Sequence, residues 1–213
     1  AAGMVTVSTG YANYLIENER ISPDKLRTVP CWVSRETFCF DIQNRQLIRH
    51  RLDVGESLVC VYLGQFGGLY HDVEAFNALR VLRDTIQQSL HFLLLTPADQ
   101  DGLGRSLNQH GLHNSEYTVL YADHADIAGY LSAADFAISF HRSIPMAFSY
   151  SPVKYGEYWS CGLPVIAPAR VGDDAMWIDN DGLGCTVDFS DEYSIKRAAE
   201  KILGLLEDPL HRE

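Results

Sequence analysis

Apolar residues along this chain fall into short runs separated by turn-forming residues. Runs at 4–7, 58–63, 92–95, 118–121, 136–139, 164–167 and 185–187 are rich in β-branched and large aliphatic side chains. Several are apolar on both faces, as the central strands of a parallel sheet must be. Between them the spacing turns helical. The clearest stretch is 72–90, where Val73, Phe76, Ala78, Leu79, Leu82, Ile86 and Leu90 form one stripe. Residues 125–133, 152–161 and 192–206 follow the same rule. Ser151-Pro152 reads as a helix N-cap followed by proline at the first helical position. Gly162 stands where that helix must stop, and Pro164 opens the next strand. The alternation predicts an α/β fold, a Rossmann-like doubly wound parallel sheet.

The stretch from Ser22 to Leu58 breaks the pattern. Ser22-Pro23-Asp24, Pro30 and the polar run 41–51 read as a connector leading into the main domain. The expected division is therefore 1–57, the tail of another domain plus a linker, and 58–213, the main domain. The opening Ala1-Ala2-Gly3-Met4-Val5-Thr6-Val7 reads as the start of a buried strand, and a strand so early suggests a piece of a longer chain. On that expectation the lack of a targeting segment says little about the whole.

Composition narrows the class. With 46% hydrophobic residues in 213, the chain can bury a large core. Seventeen basic against 28 acidic residues give a net charge of −11, which disfavours wrapping a nucleic-acid backbone. It leaves room for a small phosphate-bearing ligand held by local donors. The apolar runs are too short to span a bilayer. Cys31, Cys39, Cys60, Cys161 and Cys185 are odd in number, with no Cys-x-x-Cys pair, so neither a disulfide framework nor structural zinc is expected. Reduced thiols point to the cytoplasm.

Several catalytic signatures are missing from the sequence: the Walker-type phosphate loop, the His-Glu-x-x-His zinc helix and the G-x-S-x-G elbow. Asp99/Asp101 and Asp179/Asp181 are spaced to hold a divalent cation, but their Pro97 and Gly182 neighbours favour turns. No metal site is expected.

Two features carry chemistry. Leu63-Gly64-Gln65-Phe66-Gly67-Gly68 sits between a strand and the helix that starts near Asp72, where glycine amides can approach a phosphate. Further on, Lys154 and Glu157 lie at i and i+3 on the first turns of a helix. A carboxylate there can accept two sugar hydroxyls and an ammonium can meet a diphosphate. The bland reading of the pair is a surface ion pair worth little to stability.

The run Glu157-Tyr-Trp-Ser-Cys-Gly162-Leu-Pro164-Val-Ile-Ala167 resembles the E-[YA]-[ML]-A-x-G-x-P-V-[IV]-A signature of group 1 (family 4) glycosyltransferases. Other pieces match that family in order. Val5-Thr-Val-Ser8 is similar to the strand ending its N-terminal domain, and Ile21-Ser-Pro-Asp-Lys25 through Pro30 and Phe38 to its interdomain linker. Val61-Tyr-Leu-Gly64, Ala133-Ala-Asp135-Phe-Ala-Ile138 and Gly172-Asp173 through Gly184 are similar to later family segments. The resemblance covers nearly the whole chain.

It implies the C-terminal, donor-binding half of a GT-B fold, in which two Rossmann-like domains face each other across a cleft. The implied activity is transfer of a sugar, with retention, from a UDP-, GDP- or ADP-sugar to a saccharide or lipid-linked acceptor. No further cofactor is implied, and the partner domain would be the N-terminal half of the same chain. Polysaccharide biosynthesis in the cytoplasm, or at the inner face of the membrane, fits that family. Glu157 would hold the ribose hydroxyls, the Gly67 and Gly68 amides would face the diphosphate, and Lys154 and Arg142 would supply positive charge. Tyr121 and His124 would lie against the base. Lys154 and Glu157 are the residues assigned to catalysis. Ser149 stands where the family's Glu-x₇-Glu motif has an acid that contacts the transferred sugar. Two alternatives remain: a catalytically silent nucleotide-sugar-binding module, and a nucleotide-sugar epimerase of the same architecture.

Overall fold

The computed structural model describes residues 3–207. Ala1-Ala2 of the predicted first strand, and residues 208–213 at the end of the main domain, lie outside the described residues. In chain order the elements are β1 (Met4–Thr6), α1 (Thr9–Asn18), β2 (Leu26–Thr28), α2 (Ile42–Leu52), β3 (Leu58–Leu63), α3 (Val73–Thr85), β4 (Leu90–Leu95) and α4 (Gln100–Gln109). They continue as β5 (Tyr117–Leu120), α5 (His124–Ala133), β6 (Phe136–Ile138), α6 (Val153–Ser160), β7 (Val165–Pro168), α7 (Asp174–Asn180), β8 (Gly184–Val187) and α8 (Glu192–Leu206).

Six strands form one sheet in the order β5-β4-β3-β6-β7-β8, and every neighbouring pair is parallel. The chain starts in the middle at β3, winds out one way to β5, then returns to lay β6 on the other side of β3. That reversal makes a crevice at the carboxyl ends of β3 and β6. Both faces of the sheet are covered. One core packs Tyr62, Phe92, Phe136 and Ile138 under α3 and α8, and the other packs Val59, Val61, Leu93 and Ala137 under α5 and α6. All six residues of β4 are buried, which is why five of them are apolar and the sixth, His91, is hydrogen-bonded to Thr118 on β5.

Several elements depart from the expected pattern. The polar run 41–51, read as part of a connector, forms helix α2, capped by the Asp41 carboxylate on the amides of Gln43 and Asn44. It buries only Ile48, and packs against α5 largely through polar groups. Helix α3 ends at Thr85, and Leu90 of the predicted stripe begins β4 instead, because Gln87, Gln88 and Ser89 interrupt the apolar period. The expected buried first strand is exposed at Met4 and Val5, and pairs only with β2. Its short, two-stranded sheet has no second layer over those two residues. Helices α1, α4 and α7 add elements where the apolar spacing gave no prediction.

Candidate functional site

The loop after β3 is shaped by close approaches. The Tyr62 ring is buried and its hydroxyl donates to the Gln65 carbonyl; a Cβ on Gly64 would lie 2.6 Å from the Tyr62 hydroxyl oxygen. Gly67 and Gly68 follow with φ of +83° and +63°, the left-handed region that an L side chain disfavours. Their amides donate to no acceptor among the described residues. Asp72 then caps α3 through Val73 N at 2.8 Å.

The loop after β6 is joined to this one. His71 N donates to Phe140 O at 2.7 Å, Arg142 N to Leu69 O at 2.9 Å, and Tyr70 and His141 form an antiparallel bridge. The Arg142 guanidinium spends its donors on the same junction, reaching Tyr70 O at 2.9 Å and the Asp72 carboxylate at 3.1 Å. Two segments about 70 residues apart thus form one floor over the switch point.

Helix α6 forms the adjoining wall. Tyr155 and Tyr158 are buried beneath it, and the Tyr158 hydroxyl accepts from Leu63 N at 3.0 Å, anchoring the helix to the end of β3. Ser151, expected as the N-cap, instead accepts from Cys31 N at 2.9 Å, and no side chain caps α6. The helix begins one residue later than predicted, leaving Pro152 at the cap position. Its first turn is therefore an uncapped positive end.

These parts line an open cavity of about 340 Å³ that includes Leu63, Tyr70, His124, His141, Lys154 and Glu157. The Lys154 ammonium lies 5.2 Å from the Tyr70 ring centroid, a cation–π distance. Glu157 is 7% exposed, and its Oε2 is buried with no hydrogen-bond partner. It makes no ion pair with Lys154, so the bland reading of the two as a surface salt bridge does not describe them. Burial raises the Glu157 carboxyl above the usual carboxylate range, with the Lys154 and His124 charges acting against that. A buried carboxylate oxygen without a donor is costly. A ligand hydroxyl would satisfy it.

Of the residues singled out in the sequence, Lys154, Glu157 and His124 come together in this cavity. His124 opens α5 and meets the buried Phe38 ring edge-on at 5.6 Å. Gly67 and Gly68 lie on the loop leading to Tyr70. Tyr121 is 65% exposed and does not line the cavity. Arg142 faces a separate hollow of about 420 Å³ with His71, Glu74 and Arg170. Ser149 sits in a 3₁₀ turn, its hydroxyl donating to Met146 O at 2.8 Å, away from the cavity lining. Tyr70, Ser139, His141 and Tyr155 were not singled out. The signal that would have found Tyr70, Ser139 and His141 is their position, since residues past the ends of β3 and β6 flank the switch point, whereas Tyr155 lies within α6. Among the described residues no cluster of three or more His, Cys, Asp or Glu is arranged to hold a metal, and no helix is long and apolar enough to cross a membrane.

A doubly wound parallel sheet with a cavity at its switch point belongs to the Rossmann-like class of fold. Among solved structures the chain is similar to a glycosyltransferase from Rickettsia africae ESF-5, at 16% identity and TM-score 0.75, covering 99% of this chain and 55% of that one. It is similar to Anabaena Alr3699/HepE in complex with UDP, at 16% identity and TM-score 0.77, covering 100% of this chain and 56% of that one. It also matches the C-terminal domain of a glycosyl transferase group 1 family protein (LpcC) from Francisella tularensis, at 16% identity and TM-score 0.58, covering 84% of this chain and 90% of that domain. The chain thus spans little more than half the length of the whole glycosyltransferases. No protein-family model matches the sequence, and neither does any curated protein. In fold, the chain matches a Rossmann-like half of the GT-B architecture.

Proposed function

We propose that this chain is the donor-binding half of a glycosyltransferase, and that its cavity takes a nucleoside-diphosphate sugar. The observation that carries the reading is Glu157: a buried carboxylate oxygen, without a partner, in a cavity at the switch point and one turn from Lys154. Ribose hydroxyls are the donors such an oxygen needs, and a bidentate carboxylate takes two of them. The uncapped first turn of α6, the Gly67 and Gly68 amides and Lys154 are suited to a diphosphate. Neighbouring folds support the same reading, since Alr3699/HepE is described in complex with UDP and with UDP-glucose.

In the proposed reaction the sugar leaves its diphosphate through an oxocarbenium-like transition state. Lys154 and the amides would stabilise charge developing on the leaving oxygen, a role for donors already fixed in place. Glu157 would hold the ribose and so fix the nucleotide. Retention of configuration and a saccharide or lipid-linked acceptor belong to the proposal, with the acceptor groups supplied by an N-terminal half. The test is calorimetric titration of the chain with UDP, GDP and ADP, alongside Glu157→Gln. Binding by one of them, weakened about tenfold or more in the variant, is the expected result. Failure of all three to bind at millimolar concentration would overturn the reading.

Ser149 favours a second reading. Its hydroxyl is spent on Met146 O and no acid stands at that position, as in a module that binds the donor without turning it over.

A further inference from the structure

His141 is held more tightly than a loop histidine needs to be. Its backbone is fixed by the bridge to Tyr70 and by the flanking bonds from His71 to Phe140 and from Arg142 to Leu69. Its ring packs 4.6 Å from Tyr70 and 6.2 Å from Tyr155, between centroids. Nδ1 lies 2.9 Å from Ser139 Oγ, and Ser139 Oγ accepts from the Tyr155 hydroxyl at 3.2 Å; both contacts are buried. Each hydroxyl has a single proton to give. With Tyr155 donating to Ser139, the one Ser139 proton is free to go to His141 Nδ1, the arrangement that leaves the ring's own proton on Nε2. That nitrogen has no partner among the described residues, and the ring lines the cavity beside Pro152, Lys154 and Glu157.

Resting on the donor-site reading above, we propose that His141 is an uncharged hydrogen-bond donor, through Nε2–H, to a diphosphate oxygen of the nucleotide. Ser139 and Tyr155 are the positioning residues that select this tautomer. The arrangement sets one neutral donor beside one ammonium. The diphosphate then meets a directional contact without the mutual repulsion of two adjacent cations.

The groups facing His141 support the neutral form. Lys154 and Tyr155 approach from α6, Tyr70 from the loop after β3 and Tyr150 from the segment before α6, with Glu157 and His124 on the same cavity wall. Burial, followed by the Lys154 charge, pushes the imidazole down to about 4. His141 therefore stays neutral throughout the physiological range and does not switch there.

The test has two arms, both on the whole chain. In the first, ¹⁵N–¹H correlation spectra of the histidine rings should show His141 protonated at Nε2 alone at pH 7.5, with a mixture of tautomers in Ser139→Ala. An imidazolium, or a proton on Nδ1, at pH 7.5 would overturn the proposal. In the second, whichever of UDP, GDP or ADP binds is titrated together with its bare nucleoside. His141→Phe, which keeps a ring against Tyr70, should weaken the diphosphate about tenfold or more and leave the nucleoside unchanged. His141→Gln, which can return an N–H near the same place, should recover part of the loss. Equal diphosphate affinity in wild type and His141→Phe, with the urea midpoint preserved, overturns the role of His141 alone. No binding by wild type overturns the donor-site reading and this proposal with it.

Discussion

Arg45 donates to the Asp135 carboxylate at 2.6 Å across 90 residues of sequence, with both side chains largely buried. Arg49 reaches the second carboxylate oxygen at 3.2 Å, and Val59 N donates to that oxygen at 2.8 Å. Both guanidiniums also bond backbone carbonyls at the end of α5. One carboxylate therefore ties α2 to the amino-terminal end of the sheet, opposite the cavity.

Removing one partner of such a network leaves uncompensated buried charge, a loss of about 3–5 kcal/mol in comparable cases. Asp135→Ala should lower stability by about that much in urea unfolding, with Arg45→Met costing less because Arg49 remains. A loss under about 0.5 kcal/mol in Asp135→Ala would mean that α2 is held by its apolar contacts alone.

Asp174 supplies a pH dependence. It is 5% exposed, and its Oδ2 has no hydrogen-bond partner. Burial pushes its carboxyl up to about 7; its own backbone amide acts against that, and neighbouring Asp173 adds to it. An acid with a raised folded pKa binds its proton more tightly when folded. Its stabilising effect is complete below the unfolded pKa and is lost as pH rises towards about 7. Glu157, also raised, acts in the same direction. Stability should therefore fall from about pH 4 to pH 7, on the order of 1 kcal/mol per pH unit, and Asp174→Asn should flatten most of that slope. An unchanged slope in the variant would assign the effect elsewhere.

Two glycines of the loop after β3 should separate packing from binding. Gly64→Ala brings Cβ to 2.6 Å from the Tyr62 hydroxyl oxygen and 2.9 Å from its ring, and Tyr62 is buried with its hydroxyl engaged. It should cost about 1–3 kcal/mol. A Cβ on Gly68 meets nothing within 4 Å, so Gly68→Ala should cost only the left-handed strain, about 1 kcal/mol. Its larger effect should be a weaker diphosphate affinity, read by titration with UDP. Equal effects of both variants on stability and binding would remove the loop from the ligand site.

The sheet was legible because β3, β4 and β6 are apolar on both faces, a pattern that solvated segments do not carry. Helix α2 was not, because its docking is electrostatic. Arg45 and Arg49 are spaced as on a solvated face, and their common partner lies in another part of the sequence. Helix α4 was hidden by Gly102 and Gly104 inside it, and α1 buries only Ala12 and Leu15. Within the candidate site, Lys154 and Glu157 stand on one helix and share a local pattern. Tyr70 and His141 meet only because β6 lies beside β3, which no local pattern records.

Ser149 gives the sharpest test of whether this cavity was built for turnover. It stands eight positions before Glu157, and its hydroxyl is committed to Met146 O at 2.8 Å. A residue so engaged contributes nothing to a diphosphate, so Ser149→Ala should leave UDP affinity within about twofold and cost less than about 1 kcal/mol of stability. Ser149→Glu adds a carboxylate that can accept sugar hydroxyls. It should leave UDP unchanged while raising UDP-glucose affinity several-fold relative to UDP, about 1 kcal/mol for one added hydrogen bond. Paired titrations of the two nucleotides read the ratio directly. If Ser149→Ala itself weakens UDP about tenfold, the hydroxyl must turn from Met146 to meet the nucleotide, and the cavity extends to the 3₁₀ turn.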